Sequence, residues 1–240
     1  MIRNIIPILL TILLFSACSS SRLIVPLAED QKVLSFSAGG ALFKYNNVTI
    51  PIPLTSATYS YGVEKNLTWN SSLHLTSLAY GVIHFETGIL SNLFYHDKTK
   101  LGISYSPNIH FMSDVFDWTS RVYPQLDVNL YYYLRGSGGR DCNCPGSGSV
   151  KTPVLLYAGI MNWFELNNTR SLGLNQEKQY YGNPHFGILL KGKGWRFQVE
   201  TKLLGPSVDN TKLVLDYSGI NGQGAIGTFA TYYKTIGRGR

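Results

Sequence analysis

The run Leu101-Gly102-Ile103-Ser104-Tyr105-Ser106-Pro107-Asn108-Ile109-His110-Phe111 decides the fold. Leu101, Ile103, Tyr105, Pro107, Ile109 and Phe111 occupy every odd position, and Gly102, Ser104, Ser106, Asn108 and His110 every even one. Successive side chains on a strand point to opposite faces, so this is a ribbon with one apolar and one polar face. On a helix the same residues would be scattered around the whole circumference. The polar face is small and mostly uncharged.

The pattern recurs outward from this run, giving ten alternating segments between Val33 and Ile236. Upstream lie Val33 to Tyr45, Leu54 to Glu64, Leu67 to Ala79 and Gly81 to Phe94; in the first, Leu34, Phe36 and Ala38 oppose Ser35 and Ser37. Downstream come Val122 to Leu134, Pro153 to Leu166, a segment around His185 to Lys191, Trp195 to Leu203, and Ala225 to Ile236. In Trp195 to Leu203, Trp195, Phe197, Val199 and Leu203 oppose Arg196, Gln198, Glu200 and Lys202. A Pro-containing connection fills 46–53, a Gly/Ser-rich insert fills 136–152, and a short strand is expected at Leu213 to Tyr217. No span shows helical periodicity.

The ends of the chain carry different signals. Arg3 precedes an apolar run from Ile5 to Phe15, too short for a membrane helix of about 20 residues but suited to a secretory signal. Phe15-Ser16-Ala17-Cys18 resembles a bacterial lipobox, which implies lipidation of Cys18 as the mature N-terminus. The expected organisation is a signal peptide over 1–17, a lipidated polar tether over 18–32, a barrel over 33–236 and a basic tail over 237–240.

A formal charge of +7 without any basic run excludes a nucleic-acid footprint. The scattered basic residues suit contact with anionic lipid head groups. Charged residues make up only 15%, well below the roughly 25% of ordinary soluble domains. Cys142 and Cys144, apart from Cys18, are too few for a disulfide framework, and only Asp141 stands near them, too small a set for a zinc site. No cofactor and no metal is expected.

Alternation alone does not say whether the apolar face points in or out. A soluble barrel or sandwich turns it inward, a membrane barrel towards lipid. The Ser, Thr, Gly and Asn of the polar face fit a crowded interior. Segments of 10 to 14 residues suit tilted membrane strands. Tyr45, Trp69, Tyr95, Trp163, Trp195 and Tyr232 stand near segment ends, as in an interfacial aromatic girdle. Connections alternate short and long, with 64–66, 95–100 and 191–194 at the short end; 135–152, on the same side, breaks the rule and reads as a Gly/Ser insertion into an otherwise short turn. The span resembles an outer-membrane β-barrel of a Gram-negative bacterium, of the lipidated kind found in Bacteroidota. That resemblance implies an all-β, closed antiparallel up-and-down barrel of about ten strands, with eight to twelve compatible. A soluble periplasmic ligand-binding barrel lipoprotein remains the other architecture.

On this reading His74, His84, Glu86, His110, Asp127, Arg196, Glu200 and Lys202 line the lumen. Charges there must be paired or hydrated, and a network of ion pairs and hydrogen bonds is expected. His110 and Ser113 beside Asp114 and Asp117 are the nearest approach to an acid/base group, but their spacing matches no catalytic motif. No catalytic residue is assigned. The functional expectation is a non-enzymatic outer-membrane barrel lipoprotein, anchored by its N-terminal lipid and serving as a structural or accessory subunit. Its partners would be outer-membrane lipids and an envelope protein complex, without nucleic acid. A small-solute pore or a lipid-modifying barrel enzyme is the alternative.

Overall fold

The structure is a computed structural model and describes residues 21–46, 48–135, 153–166, 178–211 and 215–237. The leader, Cys18 and the insert with Cys142 and Cys144 lie outside the described residues. Among the described residues the strands are β1 (Lys32–Tyr45), β2 (Val48–Pro51), β3 (Leu54–Glu64), β4 (Leu67–His74), β5 (Val82–His96), β6 (Leu101–Asp114), β7 (Ser120–Arg135), β8 (Val154–Phe164), β9 (Tyr180–Gly192), β10 (Trp195–Asp209) and β11 (Gln223–Gly237), with one short helix, α1 (Leu75–Ala79). Apart from β2, each strand pairs antiparallel with the next in sequence, and β11 returns to pair with β1. The result is a closed ten-strand up-and-down barrel, as expected. At the seam Leu34 stands opposite Lys234 and Ala38 opposite Ala230. Closure leaves the barrel sheet with no free edge, which matters where water is unavailable to satisfy backbone groups.

The two faces separate by polarity. Along β6, Ser104, Ser106, Asn108 and His110 are buried while Ile109 and Phe111 are exposed. Along β10, Arg196, Gln198, Glu200 and Lys202 are buried, and Trp195 and Phe197 exposed. Leu34, Phe36, Leu130, Ile160, Phe186 and Tyr232 extend the apolar exterior around the wall. This is the reverse of a soluble barrel. β8 departs from the rule: Leu155, Tyr157, Met161 and Trp163 point inward, which accounts for a strand apolar on both faces.

Ser21 to Gln31 fall within the stretch read as a polar tether. Ser21, Arg22, Leu23, Ile24 and Leu27 are buried inside the barrel. Leu23 and Leu27 pack with Val33, Leu90 and Tyr233, and Ile24 with Tyr131, Leu155, Tyr157 and Leu189. The run Leu23-Ile24-Val25-Pro26-Leu27 is too apolar to remain in water. Its backbone groups find partners on the wall: Ser104 Oγ donates to the Ile24 carbonyl at 2.6 Å, and the Leu27 N–H donates to Thr68 Oγ1 at 2.7 Å. The Asp30 N–H donates to the Gly62 carbonyl and the Gly62 N–H to the Gln31 carbonyl, both at 2.9 Å. A Cβ at position 62 would collide with the Ala28 carbonyl, so glycine lets the segment leave along the wall.

Four local expectations are also corrected. The third segment is strand only to His74; Leu75–Ala79 forms α1, too short to show a period in sequence, and Thr76 Oγ1 accepts from the Thr55 N–H at 2.8 Å. The 46–53 connection contains β2, whose Val48-Thr49-Ile50 pairs with Phe43 to Tyr45 and is too short to show alternation. Trp163 and Tyr95 are not girdle residues: Trp163 is buried against Tyr123 and His110, and Tyr95 stacks on Tyr131 inside. A bulge between Asn92 and Phe94 turns Tyr95 inward. At the expected short strand, only Tyr217 of the described residues bridges, to Phe43.

Gly62→Val is expected to expel residues 28–31 from the wall while the barrel still forms. Trypsin cleavage after Arg22 in the folded, detergent-solubilised protein checks this: slow in the parent, fast in the variant.

Candidate functional site

Register alone assembles the polar centre. His84 and Glu86 alternate onto the inner face of β5, and Glu86 lies directly opposite His110 on β6. Leu73 pairs with Phe85, which brings His74, the last residue of β4, beside His84. Asn108 faces Gln125 and Ser106 faces Asp127, so β7 supplies the remaining polar groups from across the His110 strand. Into this ring the internal segment inserts Arg22.

The guanidinium bridges two strands. Arg22 Nε donates to Glu86 Oε1 and Nη1 to Asp127 Oδ2, each at 2.5 Å. Nη2 donates to Gln125 Oε1 at 3.3 Å. Gln125 is oriented by its own amide, whose Nε2 donates to Asp127 Oδ1 at 2.7 Å. Its Oε1 is therefore turned to His110 Nε2 at 2.9 Å, and Arg22 Nη2 approaches the same ring nitrogen at 3.1 Å, so His110 Nε2 has both an acceptor and a donor in reach. Glu86 Oε2 accepts from His74 Nε2 at 3.2 Å. His84 Nε2 and His110 Nδ1 share a hydrogen bond at 3.0 Å. The rings of His74 and His84 stack at 3.7 Å, and Trp163 covers His110 at 4.7 Å. Two carboxylates meet one guanidinium, so the cluster keeps one negative charge in excess when the imidazoles are neutral.

A second cluster lies across the lumen. Gln198 Nε2 donates to Ser21 Oγ and to the Tyr157 hydroxyl, both at 2.6 Å. The Tyr157 hydroxyl donates to Glu200 Oε2 at 2.8 Å, and Tyr233 donates to Gln198 Oε1 at 2.7 Å. Lys202 Nζ lies 3.0 Å from Glu200 Oε1 and sits over the Phe229 ring at 5.2 Å. His185 Nε2 donates to Asn129 Oδ1 at 2.7 Å.

The eight residues read as lumen-lining are thus all buried inside the barrel. His74, His84, Glu86, His110 and Asp127 come together around Arg22; Glu200 and Lys202 form the second cluster; Arg196 reaches Gln31 Oε1 at 3.5 Å. The acid/base group considered at the rim does not assemble. Ser113 has the opposite strand parity to His110 and accepts from Ser120 Oγ at 3.0 Å, while Asp114 Oδ1 accepts from the Phe116 N–H at 2.8 Å as a turn former. Sequence reasoning missed Arg22, Gln125, Gln198 and His185. The signal for Arg22 was a charge at the head of an apolar run immediately before the first strand.

No family model matches the chain, and no curated protein matches it. Among solved structures it is similar to Ail, the attachment invasion locus protein of Yersinia pestis, solved in complex with the heparin analogue sucrose octasulfate. The identity is 7%, with 86% of this chain and 98% of that chain covered and a TM-score of 0.27. A likeness at that score carries no inference about the site.

Arg22→Ala is expected to destabilise the barrel by about 3–5 kcal/mol, because Glu86 and Asp127 would remain buried without their counter-charge. Adding Glu86→Gln and Asp127→Asn to the same chain should recover most of the loss. Denaturant unfolding in detergent, followed by tryptophan fluorescence, measures both.

Proposed function

We propose that this chain is a non-enzymatic outer-membrane barrel lipoprotein with a closed lumen, acting as a structural or accessory subunit of an envelope complex. The observation that carries the reading is the inverted polarity of the wall. Large apolar side chains such as Phe36, Leu130, Phe186 and Phe197 are turned outward, while ionic and amide groups are enclosed. In water such an exterior would aggregate; against acyl chains it is the stable arrangement. Among the described residues no helix is long and apolar enough to cross a membrane, which has no bearing on a chain that would cross with strands.

A stable seal fits the filled interior. Arg22, Leu23, Ile24 and Leu27 occupy the lumen, and their wall contacts would have to break before solute could pass. At the long-loop end, Ala41, Leu204, Tyr217 and Phe229 form an apolar cluster. The accessory role is supported by the 115–119 loop, which presents Phe116 at 77% and Trp118 at 83% exposure. Exposed aromatics of this kind serve as contact anchors for a protein partner. Lipidation at Cys18 rests on the lipobox resemblance. Three residues span at most about 11 Å, and that short reach would tie the lipid closely to Ser21.

The purified protein should migrate differently in detergent gels before and after boiling, and planar bilayers should show conductance no higher than background. Deleting residues 21–31 should raise conductance if the barrel survives. Cys18→Ala should abolish palmitate labelling while leaving heat-modifiable migration intact. A monodisperse Cys18→Ala protein without detergent would replace the membrane reading with a soluble carrier.

A further inference from the structure

The hydrogen-bond network explains how the central histidines are held, but not why three of the chain's five histidines share one buried spot. His74, His84 and His110 each present a ligand nitrogen, and these atoms all lie within 4.8 Å of one another. We propose that His74, His84 and His110 form a binding site for a divalent transition metal of the zinc class, with Glu86 as the adjoining carboxylate and Arg22 as its competitor.

The donor set is that of a three-histidine site, in which neutral imidazoles hold the ion and leave a further position open. Tetrahedral coordination at about 2.0–2.1 Å separates ligand nitrogens by about 3.4 Å. His84 Nε2 and His110 Nδ1 already stand 3.0 Å apart, so an ion would replace the hydrogen bond between them with little movement. The stacked rings of His74 and His84 would turn about χ2 until their lone pairs converge. Outer support is in place for one ligand: His110 Nε2 faces Gln125 Oε1 at 2.9 Å and Arg22 Nη2 at 3.1 Å, leaving Nδ1 aimed into the cluster; binding through Nδ1 would put the proton on Nε2, held by Gln125 and opposed by Arg22. His84 would bind through a deprotonated Nε2, with its proton on Nδ1.

Charge sets the competition. Glu86 Oε2 lies 3.2 Å from His74 Nε2 and 3.7 Å from His110 Nδ1, close enough to neutralise a dication at the centre. Its other oxygen is held by Arg22. The guanidinium thus draws on the same carboxylate and repels the incoming ion, so metal affinity is linked to the position of the internal segment.

The test uses the full chain folded in detergent with zinc chloride, dialysed against metal-free buffer and analysed for metal content, with cobalt(II) as the spectroscopic probe. The expected result is about one equivalent of zinc per folded barrel and the intense visible bands of four-coordinate cobalt. His84→Ala and His110→Ala should each weaken binding by at least about tenfold, whereas His96→Ala, on an exposed turn, should not. His84→Asn keeps the site polar where the alanine variant fails to give a heat-modifiable barrel. Arg22→Gln, made together with Asp127→Asn so that Glu86 alone is left without its counter-charge, should bind more tightly, by about tenfold. Binding that survives the paired loss of His84 and His110, or that disappears with His96, would mean adventitious metal and overturn the proposal. So would a folded parent and a folded Arg22→Gln, Asp127→Asn variant that both retain no zinc. An Arg22→Gln, Asp127→Asn variant with parental affinity would remove the competitor role.

Discussion

Everything in this molecule follows from the ladder between β1 and β11. Once Lys32 to Ala41 is hydrogen-bonded to Gly227 to Gly237, every barrel strand has a neighbour on both sides. Only then can the outer wall dispense with water, because no edge is left needing a polar solvent. The choice between inward and outward burial of leucine and phenylalanine is made at that seam.

Closure creates the opposite problem inside. A ten-strand ring leaves more space than wall side chains fill, and part of that space takes up Ser21, Arg22, Leu23, Ile24 and Leu27. Glu86 and Asp127 would be intolerable there alone; with Arg22 between them they hold β5 and β7 to a segment that belongs to neither. The cluster therefore has two tasks at once. It neutralises wall charges, and it fixes where the chain before β1 lies.

The wall was legible in the sequence because period-two alternation survives in Leu101 to Phe111 and Trp195 to Leu203 without tertiary help. The inward placement of His74, Glu86, His110 and Lys202 could be read for the same reason, since parity with Ser, Thr and Asn neighbours assigns their face. Parity failed wherever the ladder slips or stops: the Asn92/Phe94 bulge turned Tyr95 inward, and the helix at Leu75 ended a strand that pattern alone extended. Arg22 was invisible for a different reason. A segment without regular structure has no period, and only the apolar character of Leu23 to Leu27 hinted that it would be buried. The convergence of the three histidines needed cross-strand register, which no single strand encodes.

The glycine that lets Ala28 lie against the inside of the wall bears on the order of assembly. Gln31 already hangs on Gly62 of β3 one residue before β1 begins, and β3 is the partner of β1 on the side away from the seam. The inner segment can thus be seated while the sheet is still an open, curling ribbon, with its guanidinium delivered to β5 and β7 from the uncovered side. Threading it afterwards would drag a cation past Leu90 and Tyr233 through the mouth of a finished cylinder. Sealing the first strand to the last is then the step that traps it.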